Sequence, residues 1–260
     1  MKALITGASN GLGKDFAKEL SKKGYDLVLV ARSKDKLETL KRELKTYIEI
    51  EVMDLSIKEN VFKLYNKYKG EIDLLINNAG FGLFGKFTDT DLDTELNMID
   101  LNVTAYHILT KLFLQDFVKK NNGRILNVAS SAAFEPGPLM TTYYSTKSYV
   151  YKMTMGIYEE LRREKSKVKI HVLCPGPVDT GFNDRAHVRF GVKSQKSIDV
   201  VKYTLKKMNQ NKLIIIPGLT IKLGVFANRI LPRKTITKFT YKIQKSKEIK
   251  KQKGKLSWKL

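Results

Sequence analysis

The chain is short of cysteine, histidine and long apolar runs, and each shortage excludes something. A single cysteine, Cys174, cannot form an internal disulfide; it points to a reducing compartment and reads as a small buried apolar residue. His107, His171 and His187 are scattered, and no Cys/His/Asp cluster has metal-ligand spacing, so no metal site is expected. No uninterrupted apolar stretch reaches the roughly eighteen residues of a spanning helix. No internal repeat is visible. A strand-like run begins directly after Met1 and Lys2, which gives the expectation of no signal peptide and of a soluble, cytoplasmic protein. Acidic residues are almost missing from one end. Residues 233–260 hold eleven lysines and arginines against one acid, Glu248, so +10 of the formal net charge of +22 sits there.

What is present reads as alternating strands and helices. At 260 residues the chain can build one doubly wound parallel sheet of about seven strands with helices on both faces. Apolar runs predict strands over 3–6, 26–31, 48–53, 73–76, 123–128, 168–174 and 213–216. Helical periodicity places helices after the first glycine turn and over 34–45, 57–69, 92–120 and 198–208. The long helix over 92–120 is expected to turn Leu96, Ile99, Val103, Leu109, Leu112, Phe113 and Phe117 to the core, with Asn102, a poor interior helix residue, in its middle. The polar segment 181–196, with Phe182, Val188 and Phe190, is expected to form a lid.

Strand, glycine turn and helix follow one another at Gly7, Ser9, Asn10, Gly11, Leu12 and Gly13. Glycines there let backbone amides approach a pyrophosphate at a helix N-terminus. The second strand ends in Arg32 and Ser33, where an acid would grip a ribose 2′-hydroxyl; an arginine suits a 2′-phosphate instead. The third strand runs into Asp54 and Leu55, and the fourth into Asn77, Asn78, Ala79 and Gly80. Ser130 and Ser131 follow the fifth strand, and Pro175, Gly176, Val178 and Thr180 follow the sixth.

Four Tyr-x-x-x-Lys pairs occur: Tyr65/Lys69, Tyr143/Lys147, Tyr203/Lys207 and Tyr241/Lys245. At i and i+4 both heads share one helix face, and an ammonium beside a phenol favours its ionised form, which suits a general acid/base. Tyr143 also has Ser130 thirteen residues before it.

Together Thr6-Gly-x-x-x-Gly-x-Gly13, Asp54-Leu55, Asn77-Asn-Ala-Gly80, Asn102, Ser130, Tyr143-x-x-x-Lys147 and Pro175-Gly-x-Val-x-Thr180 resemble the short-chain dehydrogenase/reductase family over roughly residues 2–217. The resemblance selects Tyr143/Lys147 from the four pairs. It implies an oxidoreductase interconverting a ketone and a secondary alcohol, with Tyr143 as proton donor or acceptor and Ser130 holding the carbonyl oxygen. Lys147 would hold the nicotinamide ribose and lower the Tyr143 pKa, and Asn102 would position a water linking Lys147 to solvent. Thr180 would face the nicotinamide amide, Asp54 the adenine and Asn78 the adenosine ribose. Arg32 and Ser33 favour NADP(H), with NAD(H) as the alternative, although the glycine turn lacks the basic residue of many NADP-preferring members. A homodimer or homotetramer is implied as well. A cofactor-binding regulator or scaffold without catalysis is the competing reading, and the intact Asn102, Ser130, Tyr143 and Lys147 set argues against it.

The substrate pocket is expected to be lined by Phe81, Phe84, Ala132, Phe134, Leu139, Met140, Phe182 and Phe190, which suits an apolar carbonyl or alcohol: a hydroxysteroid, a fatty ketone or a bulky aliphatic. Residues 218–260 fall outside the resemblance and form a basic amphipathic extension to the 1–217 domain. Leu219, Leu223, Phe226 and Ile230 recur at helical spacing, Pro232 breaks the run, and Ile236, Phe239 and Ile243 share a second face among lysines. Two accounts of it stand: packing on the protein's own body or a partner subunit, with a solvated tail from Lys245, or peripheral contact with an anionic membrane. A nucleic-acid arm is disfavoured, because only Phe239, Tyr241 and Trp258 interleave the basic residues.

Overall fold

A computed structural model describes residues 1–180 and 194–256, the side chains of 247–256 excepted. The expected lid residues Phe182, Val188 and Phe190, together with His187 and Trp258, lie outside the described residues.

The apolar runs become strands because they are covered on both faces. β1 (Lys2–Thr6), β2 (Asp26–Ala31), β3 (Ile48–Val52), β4 (Leu74–Asn77), β5 (Arg124–Val128) and β6 (Lys169–Leu173) are joined by a short strand, β9 (Ile214–Ile215), in one sheet. Its order is β3-β2-β1-β4-β5-β6-β9 and every pairing is parallel. The chain winds outward from β1 to β3, then crosses back to β4 and winds the other way. That reversal opens a crevice at the carboxyl ends of β1 and β4, the ordinary ligand position of such sheets. A two-stranded parallel ribbon, β7 (Val178–Asp179) with β8 (Gln195–Lys196), was not legible in the sequence.

One face packs α1 (Gly11–Ser21), α2 (Lys34–Glu43) and α7 (Ser197–Asn209) through Phe16, Leu20, Leu37, Leu40, Val201 and Met208. The other packs α3 (Lys58–Tyr68), α5 (Ala105–Lys120) and α6 (Thr141–Arg163) through Val61, Leu64, Leu109, Phe113, Phe117 and Leu161. Each such side chain contributes roughly 1.5–3 kcal/mol by leaving water, which fixes both layers to the sheet.

The expected helix over 92–120 is broken. α4 (Leu92–Ile99), capped by the Asp91 carboxylate on the Thr94 amide at 2.8 Å, runs into a π-helical turn, Asp100–Thr104, and only then into α5. The wider turn advances the helix face, so Leu96 and Ile99 are exposed where burial was expected, while Met98 and Ala105 are buried. Asn102 sits at the centre of the turn, and its side chain bonds elsewhere in the fold, to the backbone of Phe81.

After residue 217 the chain folds back. α8 (Leu219–Ile230) and α9 (Arg233–Leu256) flank Pro232 and lie over the carboxyl edge of the sheet, burying Val225, Ile236, Thr240 and Gln244. The chain beyond Lys245, read as a solvated tail in the packing account, continues α9 to Leu256.

Candidate active site

The crevice opens into a cavity of about 1380 Å³. Gly7, Ser9, Asn10, Gly11, Leu12, Arg32, Ser33, Asp54, Leu55, Asn78, Ala79, Gly80, Ser130, Tyr143, Lys147, Pro175, Gly176, Val178 and Thr180 all line it. Of the expected catalytic and cofactor-binding residues, Gly13 and Asn102 stand behind the lining instead.

The glycine turn is glycine for steric reasons. Gly7 and Gly11 have φ of +67° and +51°, which side chains rarely tolerate. Gly13 is needed differently: a Cβ there would stand 2.3 Å from the Gly7 carbonyl oxygen. Asn10, at the N-cap of α1, makes no side-chain cap, and the first turn carries no acid, so the positive end of the helix meets the cavity uncompensated. Below the turn Asn78 donates its side-chain NH₂ to the carbonyls of Thr6 at 2.9 Å and Gly7 at 3.3 Å. Asn78, which the family resemblance sets at the adenosine ribose, thus lines the cavity while its side-chain nitrogen braces the turn. Thr6, absent from the expected site residues, completes the brace by accepting from the Asn78 and Ala79 amides at 2.9 and 3.0 Å. Its place within the quoted motif was the available signal.

At the end of β2, Arg32 pairs with Asp54 at 3.1 Å across an exposed edge. Burial alone would lift the Asp54 pKa; hydrogen bonds from Ser56 and the Arg32 guanidinium bring it below the usual carboxylate range. Ser33 precedes α2 without capping it through its hydroxyl. Lys36, unforeseen in the sequence, lines the same end and donates to Asn10 Oδ1 at 3.4 Å. The residues present fit a dinucleotide: a turn that any Cβ would fill, an uncompensated helix end, and two cations, Arg32 and Lys36, lining the same cavity.

At the inner end stand Ser130, Tyr143 and Lys147. Ser130 precedes a 3₁₀ turn, Ser131–Phe134, and accepts from the Ala132 amide at 3.1 Å, which orients its hydroxyl. It hydrogen-bonds Tyr143, drawing the phenol pKa down, but burial outweighs this and holds it up at about 12. Lys147 is buried on α6, one helical turn beyond Tyr143. Its Nζ lies 5.9 Å from the Tyr143 ring centroid and donates to the Val128 carbonyl at 3.0 Å. Burial brings the Lys147 pKa down to about 8. The other three Tyr/Lys pairs reach no such cleft: Tyr65 bonds Asp116, and Tyr203 and Tyr241 lie outside the cavity. Cys174 is buried with its thiol pKa pushed up, as an inert core residue.

Asn102 acts from behind. Its Oδ1 accepts from the Phe81 amide at 3.1 Å, and its Nδ2 donates to the Phe81 carbonyl at 2.9 Å and to Thr146 Oγ1 at 3.1 Å. The side chain thus ties the loop after β4 to α6, one turn from Tyr143. A Cβ on Gly80 would stand 2.8 Å from Asn102 Oδ1 and 3.4 Å from Lys147 Nζ.

The outer wall differs from the expected one. Ala132 and Met140 line the cavity, but Phe81 and Phe84 pack with Met98 behind Tyr143, Phe134 meets Tyr151 edge-on at 4.7 Å, and Leu139 is buried off the cavity. The wall comes from α8 and α9 through Ile221, Val225, Ile236, Phe239 and Ile243. Gly176 admits this packing, since a Cβ there would meet Ile221 Cδ1 at 2.5 Å. Two polar ties fasten it: Gln244 Nε2 donates to Tyr144 Oη at 2.5 Å, and Asn228 Nδ2 to Glu135 Oε2 at 2.8 Å. Among the described residues no group of three His, Cys, Asp or Glu side chains could hold a metal ion.

Comparison with known proteins agrees with this geometry. The profile of a family described as short chain dehydrogenase matches residues 1–188. An uncharacterized oxidoreductase of Staphylococcus epidermidis is 32% identical over 223 residues, covering 83% of this chain and 96% of its own. Among solved structures, a short-chain dehydrogenase from Sphingobium yanoikuyae in complex with NADPH superposes with a TM-score of 0.79 at 29% identity, over 84% of this chain and 88% of that one. A bulky-bulky ketone specific alcohol dehydrogenase from Comamonas testosteroni gives 0.75 at 28%, over 84% and 86%. A short chain dehydrogenase/reductase from Burkholderia phymatum in complex with NAD gives 0.77 at 25%, over 86% and 91%.

Proposed function

Since the chain belongs to the short-chain dehydrogenase/reductase family and is an NAD(P)-dependent oxidoreductase, we propose that it interconverts a bulky apolar ketone and its secondary alcohol with NADP(H). One observation carries the reading. Tyr143 and Ser130, joined by a hydrogen bond, stand at the inner end of the cavity whose other end is the glycine turn. Residues 1–217 are then the catalytic domain, and 218–260 an extension whose side chains between Thr220 and Ser246 shape its pocket.

In reduction the substrate oxygen accepts hydrogen bonds from Ser130 and Tyr143. Bound nicotinamide supplies the hydride, and takes it up in the reverse direction. Negative charge then grows on that oxygen, where the two hydroxyls stabilise it. With its pKa at about 12 in the free protein, Tyr143 holds its proton at neutral pH and delivers it to the oxygen. The Lys147 ammonium stabilises the phenolate left behind, and Asn102 positions it by fixing Gly80 and α6.

Arg32, Ser33 and Lys36 support a 2′-phosphate. The exposed Arg32–Asp54 pair is worth only about 0–1 kcal/mol, so the guanidinium is readily redirected. The NADPH complex of the Sphingobium relative supports this cofactor; the NAD complex of the Burkholderia relative keeps NAD(H) as the weaker alternative. The apolar wall from α8 and α9 supports a fatty, steroidal or bulky aliphatic carbonyl, as does the ketone preference in the name of the Comamonas relative. Exposed Leu96, Ile99 and Tyr149 on α4 and α6 offer a face for a homodimer or homotetramer.

The test is NADPH oxidation across a panel of bulky ketones. Tyr143→Phe should lower turnover by a factor of about 10² to 10⁴ while NADPH still binds. Retained turnover in that variant would remove Tyr143 from the chemistry, and no turnover of the native chain across the panel would favour a scaffold.

A further inference from the structure

The C-terminal extension leaves an apolar stripe in water. Leu219, Leu223, Phe226 and Ile230 recur at helical spacing on α8 and are 71, 59, 59 and 69% exposed. They lie on the side of α8 opposite Ile221 and Asn228, which face the cavity. Large side chains in such a run ordinarily mark an interaction face. Its charge surroundings identify the partner. Residues 219–247 hold eight lysines and arginines and no aspartate or glutamate. A second copy of the chain, itself carrying +22, would bring like charge to like charge across this face.

We propose that α8 and α9 dock the protein on an anionic phospholipid bilayer, with the stripe at the acyl boundary and the basic residues among the headgroups. Among the described residues no helix is long and apolar enough to cross a membrane, so the contact is peripheral. Leu231, Phe239 and Ile243 line the cavity and are also substantially exposed, which puts its mouth on the same two-helix element. An apolar molecule dissolved in the bilayer therefore reaches the cavity without crossing bulk water.

Co-sedimentation of the full chain with vesicles tests this. The chain should pellet with vesicles containing phosphatidylglycerol at low salt, stay in the supernatant with phosphatidylcholine alone, and be released as salt rises. Leu223→Glu with Phe226→Glu should abolish pelleting. Lys234→Glu with Lys238→Glu should weaken it about 25-fold or more, at about fivefold for each lysine lost. None of these four lines the cavity, so unchanged turnover of a water-soluble ketone and an unchanged unfolding transition certify folding. The readout is binding, so it stands whether or not the proposed reaction does. A full chain that stays in the supernatant with anionic vesicles overturns the proposal, as does equal pelleting of the Leu223/Phe226 variant. A dimer that dissociates in that variant, without vesicle binding, would assign the stripe to a second copy instead.

Discussion

Lys147 is the least comfortable residue in the site, and its discomfort is measurable. Its side chain is 4% exposed, and the ammonium rests on the Val128 carbonyl at 3.0 Å and near the Tyr106 and Tyr143 rings. Desolvation brings its pKa from the ordinary 10.5 down to about 8. At pH 7 both folded and unfolded chains hold the proton, so the folded state bears the whole difference, about 3 kcal/mol. Between about pH 8 and 10.5 the folded lysine releases its proton while the unfolded one keeps it. At this site the unfolded state then binds more protons, and the contribution of Lys147 to stability rises with pH, by about 2–3 kcal/mol from pH 7 to 10. Lys147→Met removes this dependence. It also removes one hydrogen bond to the Val128 carbonyl, worth about 1 kcal/mol; Tyr106 still donates there at 3.3 Å. At pH 7 the variant should therefore be more stable than the native chain by about 2 kcal/mol, with the gap closing or reversing by pH 10. Turnover should fall by a factor of about 10² to 10³ as the charge behind Tyr143 is lost. Urea unfolding followed by circular dichroism at both pH values reads the stability. A variant less stable at pH 7, or a gap that does not change with pH, would refute the reasoning. The expected pattern is stability given up for the reaction.

Two further outcomes follow from the geometry of the turn and of the β2 edge. Gly13→Ala forces a Cβ to 2.3 Å from the Gly7 carbonyl oxygen, a backbone atom that cannot swing away, so it should cost about 1–3 kcal/mol and weaken NADPH binding; Gly156→Ala, in open space inside α6, should instead stabilise by about 0.5–1 kcal/mol, and calorimetric Tm values separate the two. Arg32→Ser should raise the KM for NADPH at least tenfold, since each charge-assisted bond lost is worth about 1.5–3 kcal/mol, and should leave the KM for NADH nearly unchanged; equal effects on both would make Arg32 a solvated surface residue.

The sequence by itself determined the parts that rest on local pattern. Buried parallel strands are apolar on both faces, so β1, β2 and β4 stand out as runs. A helix puts i and i+4 on one side, so Tyr143 and Lys147 share a helix face whatever surrounds them. Gly7 and Gly11 mark a turn because only glycine is comfortable at its φ. Tertiary structure decided what depends on partners remote in the chain. Asn78 braces Thr6, 72 residues earlier, and Asn102 ties Phe81 to Thr146 from a π turn that no periodicity announces. Burial is the largest influence on the Tyr143 pKa, and burial is a property of the assembled site. The outer wall is the clearest case. Spacing shows that Ile236, Phe239 and Ile243 share a face, but an apolar face carries no address, and only the folded chain lays that face over the cavity.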